Sequence, residues 1–239
     1  GHRFRCSRHR AGHQLTKIGS SLARAGTQER GVVDGLQNRV ALVTGAGRGI
    51  GRAISLEYAR AGLRVAVAAR SVEELNSLVD EIETAGGVAK SFPADLSGRD
   101  GPRKLVDEIG AEMGPVEVLV NNAGVGSSAD PQPVAEFNDD FWDLTLQVNL
   151  TAPYQLSKSV LPAMVSAGWG RIITVASINS RMGSLHGAAY AASKHGVLGL
   201  MRTLATETAA LGITVNCICP GPVRTLMNDK RIAYDADRL

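Results

Sequence analysis

Cysteine is scarce in this chain. Cys6, Cys217 and Cys219 are the three among 239 residues, and they form neither a paired framework nor a metal-ligand spacing. A disulfide scaffold and a structural zinc module are thereby excluded. Cys217 and Cys219 stand two apart in an apolar stretch, so a strand would place them on one face, where they are expected to be buried, inert thiols. Long apolar runs are missing too. None approaches the ~18 residues that a membrane helix needs, so no membrane partner is expected. There is no metal cluster and no His–Asp–Ser arrangement of the hydrolase kind, and His186 and His195, which lack a partner signature, read as structural. Together these gaps point to a reducing, aqueous compartment, and the expected location is cytoplasmic.

Charge of one sign is also lacking once the ends are separated. The net charge is +3, but residues 1–30 hold seven basic groups (Arg3, Arg5, Arg8, Arg10, Lys17, Arg24 and Arg30) against Glu29 alone, which gives +6. The other 209 residues carry 19 basic and 22 acidic groups, or −3, so nothing in the body calls for nucleic acid. Residues 1–33 read as a basic, disordered tail. They contain no apolar core of the secretory kind, and their Arg-rich, acid-poor make-up leaves organelle import as the alternative. Residues 34–239 are expected to form one catalytic domain, since the length suits one α/β unit.

What is present is a regular alternation. Apolar runs at Arg39–Thr44, Arg64–Ala69, Ala89–Pro93, Val116–Val120, Arg171–Ala176 and Ile213–Ile218 read as six buried strands. Between them lie helical patterns, among them Gly49–Ala61, a long helix over Phe141–Met164 and another over Ala189–Leu211. Ser71-Val-Glu-Glu74 has the form of a capping box ahead of Leu75, Leu78, Val79 and Ile82. Strict β–α alternation predicts an α/β fold, a single Rossmann-type doubly wound parallel sheet with helices on both faces. Ligands of such sheets bind beyond the carboxyl ends of the strands. Polar or glycine signals fall there in every case: Gly45, Arg70, Asp95, Asn121, Ser177 and Pro220.

Thr44-Gly-Ala-Gly-Arg-Gly-Ile-Gly51 joins the first strand to its helix, with Ile50 where the strict G-x-G-x-x-G form has its last glycine. The spaced Gly45, Gly49 and Gly51 permit a tight turn and let backbone N–H groups approach a pyrophosphate at the helix N-terminus. An NAD-binding sheet places an acid at the end of its second strand to hold the ribose 2′-hydroxyl. Here that stretch reads Val65-Ala-Val-Ala-Ala-Arg70-Ser71, without an acid, while Arg70 and Arg48 can neutralise a 2′-phosphate. NADP(H) is therefore expected ahead of NAD(H). Tyr190 and Lys194 are i and i+4 on one helix face. A free tyrosine titrates near 10, and a neighbouring ammonium, helped by the positive charge of the oxidised nicotinamide, is expected to lower that value.

With Asn121-Asn-Ala-Gly124, Tyr190-Ala-Ala-Ser-Lys194 and Pro220-Gly221 following the glycine turn in order, the chain resembles the short-chain dehydrogenase/reductase family over Leu36–Met227. The wording is closest to 3-oxoacyl-acyl-carrier-protein reductases and polyketide ketoreductases. The resemblance implies an NADPH-dependent carbonyl reductase in which Tyr190 and Lys194 act with Ser177, which bonds the substrate carbonyl. Asn149 would position a water and complete a proton relay through Lys194, which would also hold the nicotinamide ribose. Asp95 and Leu96 would border the adenine, and Asn122, Ala123 and Gly124 the ribose side. Ile50, Ser71, Pro220, Gly221, Val223 and Thr225 would complete the cofactor site. A small-molecule or acyl-thioester carbonyl substrate is implied, with specificity set by Ile178–Ala188 and by the segment after Gly221. That segment is nearly absent here, and the final strand of relatives is missing. A homo-oligomer through helices 141–164 and 189–211 is implied as well. The alternatives are an NADP-binding sensor without turnover and an inactive piece of a reductase.

Overall fold

The computed structural model describes residues 35–236; the tail expected over 1–33 lies outside the described residues. Six strands form one parallel sheet: β1 (Val40–Thr44), β2 (Arg64–Ala69), β3 (Val88–Pro93), β4 (Val118–Asn121), β5 (Gly170–Val175) and β6 (Ile213–Ile218). Their spatial order is β3-β2-β1-β4-β5-β6. Val40 pairs with Arg64 and Ala41 with Val118, so the chain leaves β1 in one direction and returns to its other side at β4. The crevice at this reversal is where a doubly wound sheet takes its ligand.

Burial explains the wording of the strands. All residues of β1 and β4 are buried, because helices cover both faces of the middle of the sheet, and such strands read as unbroken apolar runs. The outer strands β3 and β6 alternate instead, and on β6 Thr214, Asn216 and Ile218 are exposed. One core cluster holds Leu42, Leu119, Ile172 and Leu156 on one side of the sheet, and the other holds Val43, Val120, Leu75 and Leu78 on the opposite side.

The helices are α1 (Gly49–Arg60), α2 (Val72–Thr84), α3 (Gly101–Met113), α4 (Asp139–Leu146), α5 (Ala152–Ala167), α6 (Ala188–Thr208) and α7 (Leu226–Ala236). In α2 the spacing Leu75, Leu78, Ile82 gives the buried stripe, and Ser71 caps the helix by accepting from Glu74 N at 3.3 Å. The long helix expected over Phe141–Met164 is divided. A π-turn at Gln147–Thr151 separates α4 from α5, and α5 carries Pro153 in its first turn. Apolar periodicity cannot tell an i→i+4 bond from an i→i+5 bond, which is why the break is invisible in the pattern. The segment after Gly221, expected to be nearly absent, folds into α7.

Candidate active site

The turn after β1 is held by Thr44. Its Oγ1 accepts from Asn122 N at 3.0 Å and Ala123 N at 3.1 Å and donates to Val120 O at 3.2 Å. Asn122 Nδ2 donates to Thr44 O and Gly45 O, at 2.9 and 3.1 Å. The side chain of Asn122 therefore locks the two diverging loops of the crevice together. Gly45 (φ +63°) and Gly49 (φ +57°) occupy left-handed backbone. Gly51 serves packing, since a Cβ there would overlap Gly45 O and stand 2.5 Å from Asn122 Nδ2.

Beside this turn runs an open cleft, lined by Gly45, Arg48, Arg70, Ser71, Asp95, Leu96, Ala123 and Gly124 among the expected cofactor residues. Glu74, Ser97, Leu144 and Val148 also line it and were not expected in the cofactor site. Gly49, Ile50, Gly51, Asn122, Pro220, Gly221, Val223 and Thr225 are not part of that lining. Ile50 packs on the core, Pro220 O accepts from Ile178 N at 3.0 Å, and Thr225 lies over Gly49. Asp95 Oδ1 accepts from Ser97 N at 2.9 Å. That bond, with a smaller contribution from the Arg70 charge, keeps the Asp95 carboxyl below its usual range.

A dinucleotide fits these residues. Helix α1 has no side-chain cap and no acid in its first turn, so its leading N–H groups remain free to meet a phosphate, and Arg48 stands at its N-cap.

Past the carboxyl ends of β4 and β5, four further residues meet. Ser177 is buried just after β5; its Oγ accepts from Asn179 N at 3.1 Å, and its own N–H donates to Ser180 Oγ at 3.2 Å. It also lies near enough to the Tyr190 hydroxyl to favour that group's ionised form. Lys194, buried one turn on in α6, donates to Val175 O at 3.0 Å and lies 5.7 Å from the Tyr190 ring centroid. Asn149 sits in the π-turn. Its Oδ1 accepts from Val125 N at 2.7 Å, and its Nδ2 donates to Val125 O at 2.9 Å and Ser193 Oγ at 3.1 Å. Ser193 in turn donates to Tyr190 O at 2.8 Å, a link between Asn149 and Tyr190 that the sequence pattern did not signal.

In the chain by itself burial raises the Tyr190 pKa, and the nearby Ser177 hydroxyl offsets only part of that rise. Burial acts on the neighbouring Lys194 as well and depresses its pKa to about 8. Cys217, in β6, and Cys219, just past its end, pack against the same core cluster, but they are half-buried rather than buried. The strand is outermost, so its cover is partial.

A further part of the surface is built by Leu185, His186 and α7. Tyr234 Oη lies 2.5 Å from His186 Nδ1, so His186 has the partner that was not expected. Arg231 Nη1 donates to Leu185 O at 3.1 Å, and Ser128 Oγ to Met227 O at 3.3 Å. Exposed Met182, Leu185, Leu226 and Met227 give this rim an apolar character.

A parallel sheet with a glycine turn at its reversal point, a phosphate-ready helix end and a Ser–Tyr–Lys cluster beside the same crevice is the layout of a dinucleotide-dependent oxidoreductase. Residues 39–235 match the family model for short chain dehydrogenase, and the chain belongs to that family. It is 37% identical over 191 residues to 3-oxoacyl-acyl-carrier-protein reductase FabG of Salmonella typhimurium, covering 80% of this chain and 76% of that protein. Among solved structures it is similar to actinorhodin polyketide ketoreductase with NADPH, at 40% identity and TM-score 0.79, over 84% of this chain and 77% of the other. A metagenomic short-chain oxidoreductase in complex with NADP is also 40% identical, with TM-score 0.75, over 84% of this chain and 90% of that one.

Proposed function

We propose that this protein is an NADPH-dependent carbonyl reductase acting on ketones, with 3-oxoacyl thioesters as the substrate class. The observation that carries the reading is the Ser177–Tyr190–Lys194 cluster beside a cleft that presents Arg48 and Arg70. NADPH bound there supplies the hydride.

The chain's own residues do the rest. Tyr190 is a catalytic residue: its hydroxyl, kept protonated by burial, donates to the carbonyl oxygen as negative charge develops on it. Ser177 donates a second hydrogen bond to the same oxygen. Lys194, held in place by Val175 O, supplies positive charge close to Tyr190 and, 3.8 Å from where a Cβ on Gly124 would sit, reaches the ribose side of the crevice. Asn149 positions Tyr190 through Ser193. Its side chain is consumed by Val125 and Ser193, so its backbone carbonyl in the π-turn is the group offered to a relay water. Arg48 and Arg70 would hold the 2′-phosphate, with Ser71 beside them; Asp95 and Leu96 would flank the adenine, and Asn122, Ala123 and Gly124 the ribose. Pro220, Gly221, Val223 and Thr225 would serve the nicotinamide end.

The relatives named as ketoreductase and 3-oxoacyl reductase support this substrate class, as does the apolar rim. A catalytic unit over 34–239, a cytoplasmic location and a homo-oligomer formed through the helices over 141–164 and 189–211 belong to the same reading. Exposed Tyr154 and Val165 on α5 supply apolar contact area for a second copy. Among the described residues no helix is long and apolar enough to cross a membrane.

Purified protein is expected to oxidise NADPH in the presence of a β-keto ester and to leave NADPH unchanged without it. Tight NADPH binding with no turnover on β-keto esters and 3-oxoacyl thioesters would overturn the reductase reading.

A further inference from the structure

The capping pattern at Ser71–Glu74 implies two reciprocal hydrogen bonds, and one of them forms. Glu74 N donates to Ser71 Oγ at 3.3 Å. The Glu74 carboxylate turns the other way, into the cleft. Its Oε1 lies 3.4 Å from Arg48 Nη1, and its Oε2 rests against the glycine turn, where a Cβ on Gly47 would stand 2.5 Å from it. Glycine at 47 is what leaves room for this carboxylate. Arg52 Nη1 reaches Glu74 O at 3.5 Å and helps hold that turn of α2 beside the cleft.

The pair does little for stability. Both side chains are substantially exposed, at 65% and 36%, and exposed ion pairs contribute weakly. Its position matters more. Glu74 lines the same cleft as Arg48, Arg70 and Ser71, at the end of β2 where the ribose 2′ position of a bound dinucleotide falls.

We propose that the Glu74 carboxylate occupies the place on Arg48 that the 2′-phosphate of NADPH takes, which makes Glu74 a specificity-determining residue that restrains the preference for NADPH over NADH. The proposal rests on the assignment of Arg48 to the 2′-phosphate. To reach Arg48 the phosphate must displace the carboxylate that pairs with it, and the Arg48–Glu74 contact is lost in the exchange. That competition weakens phosphate binding. NADH brings a 2′-hydroxyl to the same point and leaves the Arg48–Glu74 pair undisturbed. Removing the negative charge therefore favours one cofactor and not the other.

The test is a set of equilibrium titrations of NADPH and NADH, followed by nucleotide fluorescence, on wild type, Glu74→Gln, Arg48→Ala and the double variant. Glu74→Gln is expected to tighten NADPH about fivefold, the range of an exposed ion pair, and to leave NADH within about twofold. Arg48→Ala is expected to weaken NADPH selectively, and adding Glu74→Gln to it should then change NADPH by less than about twofold. Equal tightening of both nucleotides by Glu74→Gln, or no tightening of either, overturns the proposal. So does full tightening in the Arg48→Ala background, because Glu74 would then act as a diffuse charge and not as an occupant of Arg48. If Arg48→Ala leaves the NADPH-to-NADH ratio unchanged, the assignment of Arg48 itself fails, which separates the two ideas.

Discussion

The proton-handling centre and the substrate rim lie within the same site and are built in opposite ways. Asn149, Ser177 and Lys194 are 1%, 6% and 6% exposed, and each is tied to backbone or to a buried hydroxyl. Met182 and Leu185, on the rim, are 52% and 57% exposed, and α7 is joined to the body by a few contacts such as His186–Tyr234 and Arg231–Leu185. Buried polar groups need every partner in place, so the centre tolerates one geometry. Exposed apolar side chains on a surface loop can be exchanged at little cost to folding. Chemistry common to many substrates belongs in the first setting, and discrimination among them in the second.

That contrast can be broken most severely at Tyr190. Tyr190→Phe is expected to reduce kcat for a β-keto ester by at least ~10²-fold, the low end for a positioned general acid, while the NADPH Kd stays within about twofold. Near-normal kcat in the Phe variant would show that the proton comes from elsewhere.

A second comparison uses pH. Lys194 is depressed to about 8 from 10.5, whereas Tyr190 is raised. Below about pH 8 Lys194 carries its charge, and as pH rises through that value the charge is lost while Tyr190 is still protonated. The kcat/KM for reduction should therefore fall above about pH 8, approaching tenfold per unit. A profile flat to pH 9.5 would mean that Lys194 does not contribute through its charge. A Lys194→Arg variant, with a pKa that stays well above this range, should move the fall upward.

The rim should respond least. Met182→Ala or Leu185→Ala is expected to raise KM for a long-chain 3-oxoacyl thioester by about 3- to 10-fold, from the apolar area lost, with kcat and the melting temperature little changed. Equal KM effects on acetoacetyl and long-chain substrates would sharpen the picture by moving acyl recognition off this rim.

Legibility followed the same division. The glycine turn could be read because Thr44–Gly51 is one contiguous strand–turn–helix unit, and its neighbours are set by local pattern. Tyr190 and Lys194 could be placed on one face because α-helical spacing is regular. The π-turn at Gln147–Thr151 could not, since the apolar stripe runs through it unchanged. Glu74 gave a clear local signal, the cap, and that signal misdirected its carboxylate. Arg48, 26 residues earlier in the chain, competes for it across the glycine turn. His186 showed no partner because Tyr234 is 48 residues away.

By itself the sequence determined the six strands, their alternation with helices and the order in which the polar residues emerge at the strand ends. Apolar periodicity and glycine conformation act over a few residues, and nothing distant is needed to express them. Only the tertiary structure decided the charge state and partners of those residues: the raised Tyr190, the depressed Lys194, the half-covered Cys217 and Cys219, and Glu74 turned toward Arg48. Desolvation and Coulomb energies depend on distances between segments far apart in the chain, and those distances exist only once the sheet has brought the segments together.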